Sequence, residues 1–112
     1  MSHKTRLENL LDYYQEDPED TFTIYAIALE YLNASDYANS EKFFADLIRQ
    51  HKNYLPAYYH FGKMYEKADN RAKAGETYLM GIRLAESKQD FHTLRELKEA
   101  YHSLMNIEDD DW

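Results

Sequence analysis

Apolar side chains recur along the chain at helical spacing. Ile24, Ile27, Ala28 and Tyr31 fall at i, i+3, i+4 and i+7, and Tyr58, Phe61, Gly62 and Tyr65 repeat the series. Between such runs, turn and cap formers gather at Asp17-Pro18-Glu19-Asp20, Asn33-Ala34-Ser35-Asp36, Asn53 to Pro56, Ala68-Asp69-Asn70 and Ser87 to Asp90. The pattern predicts six helices, over roughly 4–16, 20–33, 37–51, 55–68, 71–86 and 90–105. Asp20, Asn70 and Asp90 are the expected N-caps, because their side-chain oxygens can accept from the unpaired amides of a first helical turn. Connections of about 3–5 residues make successive helices antiparallel neighbours.

Displacing the sequence by 34 residues places Ile24 on Tyr58, Tyr25 on Tyr59, Ile27 on Phe61, Ala28 on Gly62 and Tyr31 on Tyr65. The second helix of each pair follows, with Ser40 on Ala74, Phe44 on Tyr78, Leu47 on Gly81 and Ile48 on Ile82. Leu10 and Tyr14 join the same frame through Phe44 and Ile48. A fixed period held across helix–turn–helix pairs is the signature of a repeat architecture, in which no unit buries its apolar face alone.

Tyr58-x2-Phe61-Gly62-x2-Tyr65 with Ala74-x3-Tyr78, and more loosely Ile24-x2-Ile27-Ala28-x2-Tyr31 with Ser40-x3-Phe44, resemble the tetratricopeptide repeat. The resemblance covers residues 7–88. Pro18 stands at the family's terminal proline position, which Lys52 and Glu86 fill later, and Asp36-Tyr37 matches its turn. The resemblance implies an all-α fold, a right-handed superhelix of antiparallel helix pairs. The expected organisation is one domain over 1–106, with an N-terminal helix at 4–16, repeats at 20–53 and 54–88, a capping helix at 90–105 and an acidic tail at 107–112.

Small residues explain the pattern physically. Ala28, Gly62, Ser40 and Ala74 leave room for neighbouring rings, and Gly75 and Gly81, costly inside a helix, are expected where the next helix touches. Helix 90–105 leaves the 34-residue register. Its own stripe is Phe91, Leu94, Leu97, Tyr101 and Leu104, opposite a polar face of His92, Arg95, Glu96 and Glu99, which suits a terminal cap. Leu94, Leu97, Tyr101 and Leu104 also resemble a short seam that could pair two copies as a homodimer; otherwise a monomer is expected.

Composition narrows the function. The 112 residues carry a formal net charge of −8, with 11 Tyr, 5 Phe, 1 Trp, 3 Gly, 2 Pro and no Cys. So many aromatics argue against disorder, so few Gly and Pro against an all-β fold, and the lack of Cys excludes disulfides and a thiol nucleophile. Mean hydropathy is −0.82, no apolar run approaches a membrane span, and no secretory signal follows Met1, so no membrane contact and a cytoplasmic location are expected. Residues 1–50 hold 4 basic and 10 acidic side chains, 51–100 hold 9 and 7, and 101–112 hold none and 4. That balance opposes nucleic-acid binding, which needs a basic stripe.

No phosphate loop, metal-ligand spacing or nucleophile elbow is present, and His3, His51, His60, His92 and His102 are scattered. No enzyme activity, no cofactor and no metal are therefore expected. The resemblance places a concave groove along the first helices of the repeats, here Phe22, Tyr25 and Leu29 followed by Tyr59, His60, Lys63 and Lys67. Either the N-terminal helix covers Phe22, Tyr25 and Leu29, or they form surplus apolar surface for a ligand. Family members that clamp a C-terminal carboxylate use Lys and Asn where this chain has Tyr25, Leu29, Tyr59 and Lys63, so that ligand is not expected. The expected function is an adaptor holding a peptide or helix segment of an unidentified partner protein, with an apolar anchor and an acidic flank. The tail Ile107 to Trp112 fits that description itself and could dock on His60, Lys63 and Lys67, or remain a solvated end.

Overall fold

The structure, a computed structural model, describes residues 3–109. Six helices and no strand occur among them: α1 Arg6–Glu16, α2 Thr21–Asn33, α3 Tyr37–Gln50, α4 Pro56–Lys67, α5 Arg71–Lys88 and α6 Phe91–Asp109. The chain divides into two compact units, Met1–Ala57 and Tyr58–Trp112. The acidic tail read at 107–112 begins inside α6, and its last residues, 110–112, lie outside the described residues.

Helix starts are fixed by side-chain caps. Asp20 accepts from the Thr23 amide at 2.9 Å, Asn70 from Lys73 at 3.2 Å and Asp90 from Thr93 at 3.1 Å, as the sequence predicts. Two further caps carried weaker signals. Asp36 accepts from the Asn39 amide at 3.3 Å, and Thr5 with Glu8 forms a reciprocal capping box on α1.

Helix ends repeat one device. Ser35, Asp69 and Gln89 adopt left-handed backbone, at φ 60°, 62° and 57°. After each, the next amide reaches back five residues: Asp36 to the Tyr31 carbonyl at 2.9 Å, Asn70 to Tyr65 at 2.8 Å and Asp90 to Ala85 at 3.0 Å. This is the Schellman closure, which satisfies carbonyls that a helix end would strand. Ser35 and Asp69 stand 34 residues apart, so the sequence period is also a period of chain reversal.

In the first unit α2 packs on both α1 and α3. Ala28 and Phe44 are fully buried, and the Ser40 hydroxyl donates to the Ala28 carbonyl at 2.9 Å, a bond that needs the close approach expected of these two small residues. The Phe43 ring stacks on Tyr31 at 5.8 Å and meets the edge of Tyr14 at 5.3 Å. In the second unit Gly62 lies against Tyr78. A Cβ there would overlap the ring, with its Cζ 2.7 Å away.

Helix α6 packs on α5. Leu97 and Leu104 are buried, beside Gly81 and Gly75 respectively, and Arg71 donates to the Leu104 carbonyl at 2.8 Å. This corrects the paired-copy seam: the core of its own unit consumes Leu97 and Leu104, while Leu94 and Tyr101 are half-buried. Phe91, counted in the same stripe, is instead exposed. Gly75 also lies where α6 touches, as expected, but more loosely than Gly81: an added Cβ would sit 3.7–3.8 Å from Leu104, Met105 and Tyr101, ordinary contact.

Candidate functional site

In the second unit the outward face of α4 is built around Tyr59. Its half-buried ring meets the edge of His60 at 5.3 Å, and the Lys63 ammonium lies 5.5 Å from its centroid. Lys63 sits one turn after Tyr59 and one turn before Glu66, so it reaches both, pairing with the Glu66 carboxylate at 3.7 Å. Glu66 in turn accepts from the buried Tyr78 hydroxyl.

Helix α6 supplies the opposite wall. A cavity of about 260 Å³ is lined by Tyr59 and Lys63 from α4 and by Glu96, Glu99, Ala100 and Ser103 from α6. Glu96 also stands 3.5 Å from His92. Burial pushes the His60 imidazole below its ordinary range, against the pull of Glu96. Lys67 is exposed and does not line the cavity. The α4 face is therefore less basic than its sequence suggests: Lys63 is shared with Glu66, and His60 is held toward its neutral form. Glu96 and Glu99 were legible only as a charged face, because α6 has no equivalent in the 34-residue frame.

The first unit holds the other three residues of the expected groove. Phe22 is 64% exposed and Leu29 half-buried. Tyr25 is half-buried, its ring edge-on to Tyr54 at 5.2 Å. Burial first, and Tyr54 second, push the Tyr25 hydroxyl pKa up to about 12. Phe22 is thus left open, and a ring from the α3–α4 connection lies on Tyr25. His51 stands 2.7 Å from the Glu19 carbonyl, tying that connection to the start of α2.

Among the described residues, no group of three or more His, Asp and Glu stands together as a metal site. No helix among them is long and apolar enough to cross a membrane.

The solution NMR structure of a tetratricopeptide repeat domain protein from Salinibacter ruber is 36% identical to this chain, with a TM-score of 0.73 over 79% of this chain and 89% of that one. A crystal structure under the same description and organism is 33% identical, with a TM-score of 0.72 over 79% and 99%. The chain belongs to the tetratricopeptide repeat family. A protein from Bordetella parapertussis shares the fold at 16% identity, with a TM-score of 0.82 over 93% of this chain and 90% of that one. No family model and no curated protein matches the chain.

The tetratricopeptide pattern accounts for the packing residues of the site and leaves its chemistry open. Gly62 and Tyr78 are pattern positions, and their contact holds α4 against α5. Tyr59, Lys63, Glu96 and Glu99 lie off the pattern.

Proposed function

We propose that this tetratricopeptide repeat protein is a non-catalytic adaptor that binds a segment of a partner protein on the α4–α6 face of its second unit. The observation that carries the proposal is the Tyr59 ring bordering a cavity between Lys63 and the Glu96/Glu99 pair. A half-buried tyrosine offers an apolar face at low entropic cost, and flanking charges fix the orientation of what lands on it. Two α6 carboxylates face one ammonium already shared with Glu66, so the arrangement favours an apolar anchor with a basic flank over the acidic flank suggested by α4 alone. His60 and Lys67 extend the α4 face. Phe22, Tyr25 and Leu29 belong to the first unit and form a separate apolar face.

Selection from a displayed peptide library against the wild type and two variants tests this. Wild-type binders should be enriched in an aromatic or aliphatic anchor next to Lys or Arg. Tyr59→Ala should lose them while remaining folded by circular dichroism, and Glu96→Lys with Glu99→Lys should shift enrichment toward acidic flanks. The proposal fails if Tyr59→Ala retains the wild-type set. A parallel Phe22→Ala variant reports whether the first unit contributes.

A further inference from the structure

The first unit holds a mostly apolar cavity between α1 and α3. It has a volume of about 410 Å³ and is lined by Tyr14, Lys42, Phe43, Ala45, Asp46 and Arg49. Its apolar surface is aromatic: Tyr14 and Phe43 meet edge to face, and the Lys42 ammonium lies 6.0 Å from the Phe43 centroid. Two cations rim it. Lys42 is exposed, and the Arg49 guanidinium pairs with Asp46, which also accepts from Gln50 at 2.8 Å. An aromatic floor under a cationic rim is suited to an aromatic side chain flanked by carboxylates.

The chain contains one such segment. Asp109-Asp110-Asp111-Trp112 places three carboxylates before the chain's single tryptophan. We infer that the α1–α3 cavity receives Trp112 of a second copy, with Asp110 and Asp111 of that copy facing Lys42 and Arg49.

Charge decides between this cavity and the α4 face. On the α4 face the acidic segment would meet Glu66, Glu96 and Glu99 around a single paired lysine, whereas the α1–α3 rim presents two cations against one carboxylate. Like charges brought together disfavour the first arrangement, and complementary charges favour the second. A segment carried by a second copy is free of the placement that α6, held to α5 through Leu97, Leu104 and Arg71, imposes within its own chain.

A single tryptophan makes the test direct. Emission from the full-length chain should be blue-shifted at high protein concentration and should move to the red on dilution or added salt, in step with a fall in sedimentation mass. Lys42→Glu with Arg49→Glu, both exposed positions, should weaken self-association at least about tenfold with an unchanged melting profile. Mixing that variant with an Asp110→Lys, Asp111→Lys chain should restore association. Water-exposed emission at every concentration overturns the inference, as does wild-type association in the charge-reversed variant. A blue shift independent of concentration overturns the assignment to a second copy.

Discussion

The hydroxyl of the fully buried Tyr78 donates to the carboxylate of Glu66, joining α5 to α4 inside the second unit. The positions 34 residues earlier hold Phe44 and Leu32, both buried, so one repeat places two apolar residues where the other places a hydrogen-bonded pair. Tyr78→Phe removes the donor and should cost about 1.5–3 kcal/mol, the range for a hydrogen bond to a charged group. Adding Glu66→Leu should recover most of that loss, since a matched apolar pair carries no stranded carboxylate. Urea denaturation of the two variants checks both steps, and a double variant no more stable than Tyr78→Phe would contradict the pairing.

Alkaline stability should depend on buried phenols. Burial raises the hydroxyls of Tyr25, Tyr58 and Tyr78, with Glu66 reinforcing the shift at Tyr78 and Tyr54 that at Tyr25. Each group stays protonated in the folded chain at a pH where the unfolded chain has begun to lose its proton. The contribution is therefore fully present below about pH 10 and falls as pH rises from there, through about 12 for Tyr25. Melting temperature recorded with tyrosinate absorbance should decline over that window. Ionisation that precedes unfolding would show that these phenols are accessible.

Acid stability runs the other way. The carboxylates of Glu8, Asp20 and Asp90 are held below their ordinary range by hydrogen bonds from Thr5, Thr23 and Thr93 at the helix starts. Their contribution is present above the ordinary carboxylate range, about pH 4, and is lost as pH falls through the lowered values. Helicity followed by circular dichroism during acid titration should decline at the starts of α1, α2 and α6 first, which residue-resolved NMR shifts can read.

The three glycines should behave differently. Gly62→Ala drives a methyl into the Tyr78 ring, and Gly81→Ala places one 2.8 Å from the Tyr58 Cβ, so each should destabilise by about 1–3 kcal/mol. Gly75→Ala meets only ordinary contacts and should gain about 1 kcal/mol from helix propensity. Thermal melts of the three single variants separate these outcomes.

Helix ends offer a further check. Gln89 carries a side chain in left-handed backbone, so Gln89→Gly should stabilise by about 0.5–1 kcal/mol. Asn70→Ala, which removes a cap, should cost about 1 kcal/mol. Chemical denaturation midpoints measure both.

The period of 34 made most of this legible in the sequence, because helix spacing, turn composition and the small residues at Ala28, Ser40 and Gly62 repeat together. Gly75 and Gly81 were both legible as contacts with the next helix, but helix cost alone does not say how close the neighbour lies, and only Gly81 is tightly packed. The α6 stripe was ambiguous for a similar reason: an apolar face reads alike whether it packs on its own chain or on a copy. Glu66 carried a signal that periodicity alone does not interpret, since the polar replacement of Leu32 is informative only beside the change from Phe44 to Tyr78. Glu96 and Glu99 had no equivalent in the repeat, so only the folded arrangement of α4 and α6 brings them to Tyr59.

The unlike pairs at the centres of the two hairpins give each second helix an address. Were α3 to take the place of α5, the Phe44 ring would confront Glu66 with no hydroxyl to offer; the reverse exchange would bring the Tyr78 phenol to Leu32, which has no acceptor side chain. A tandem array built from near-copies thereby protects itself against trading parts, either along one nascent chain or between chains crowded together during synthesis.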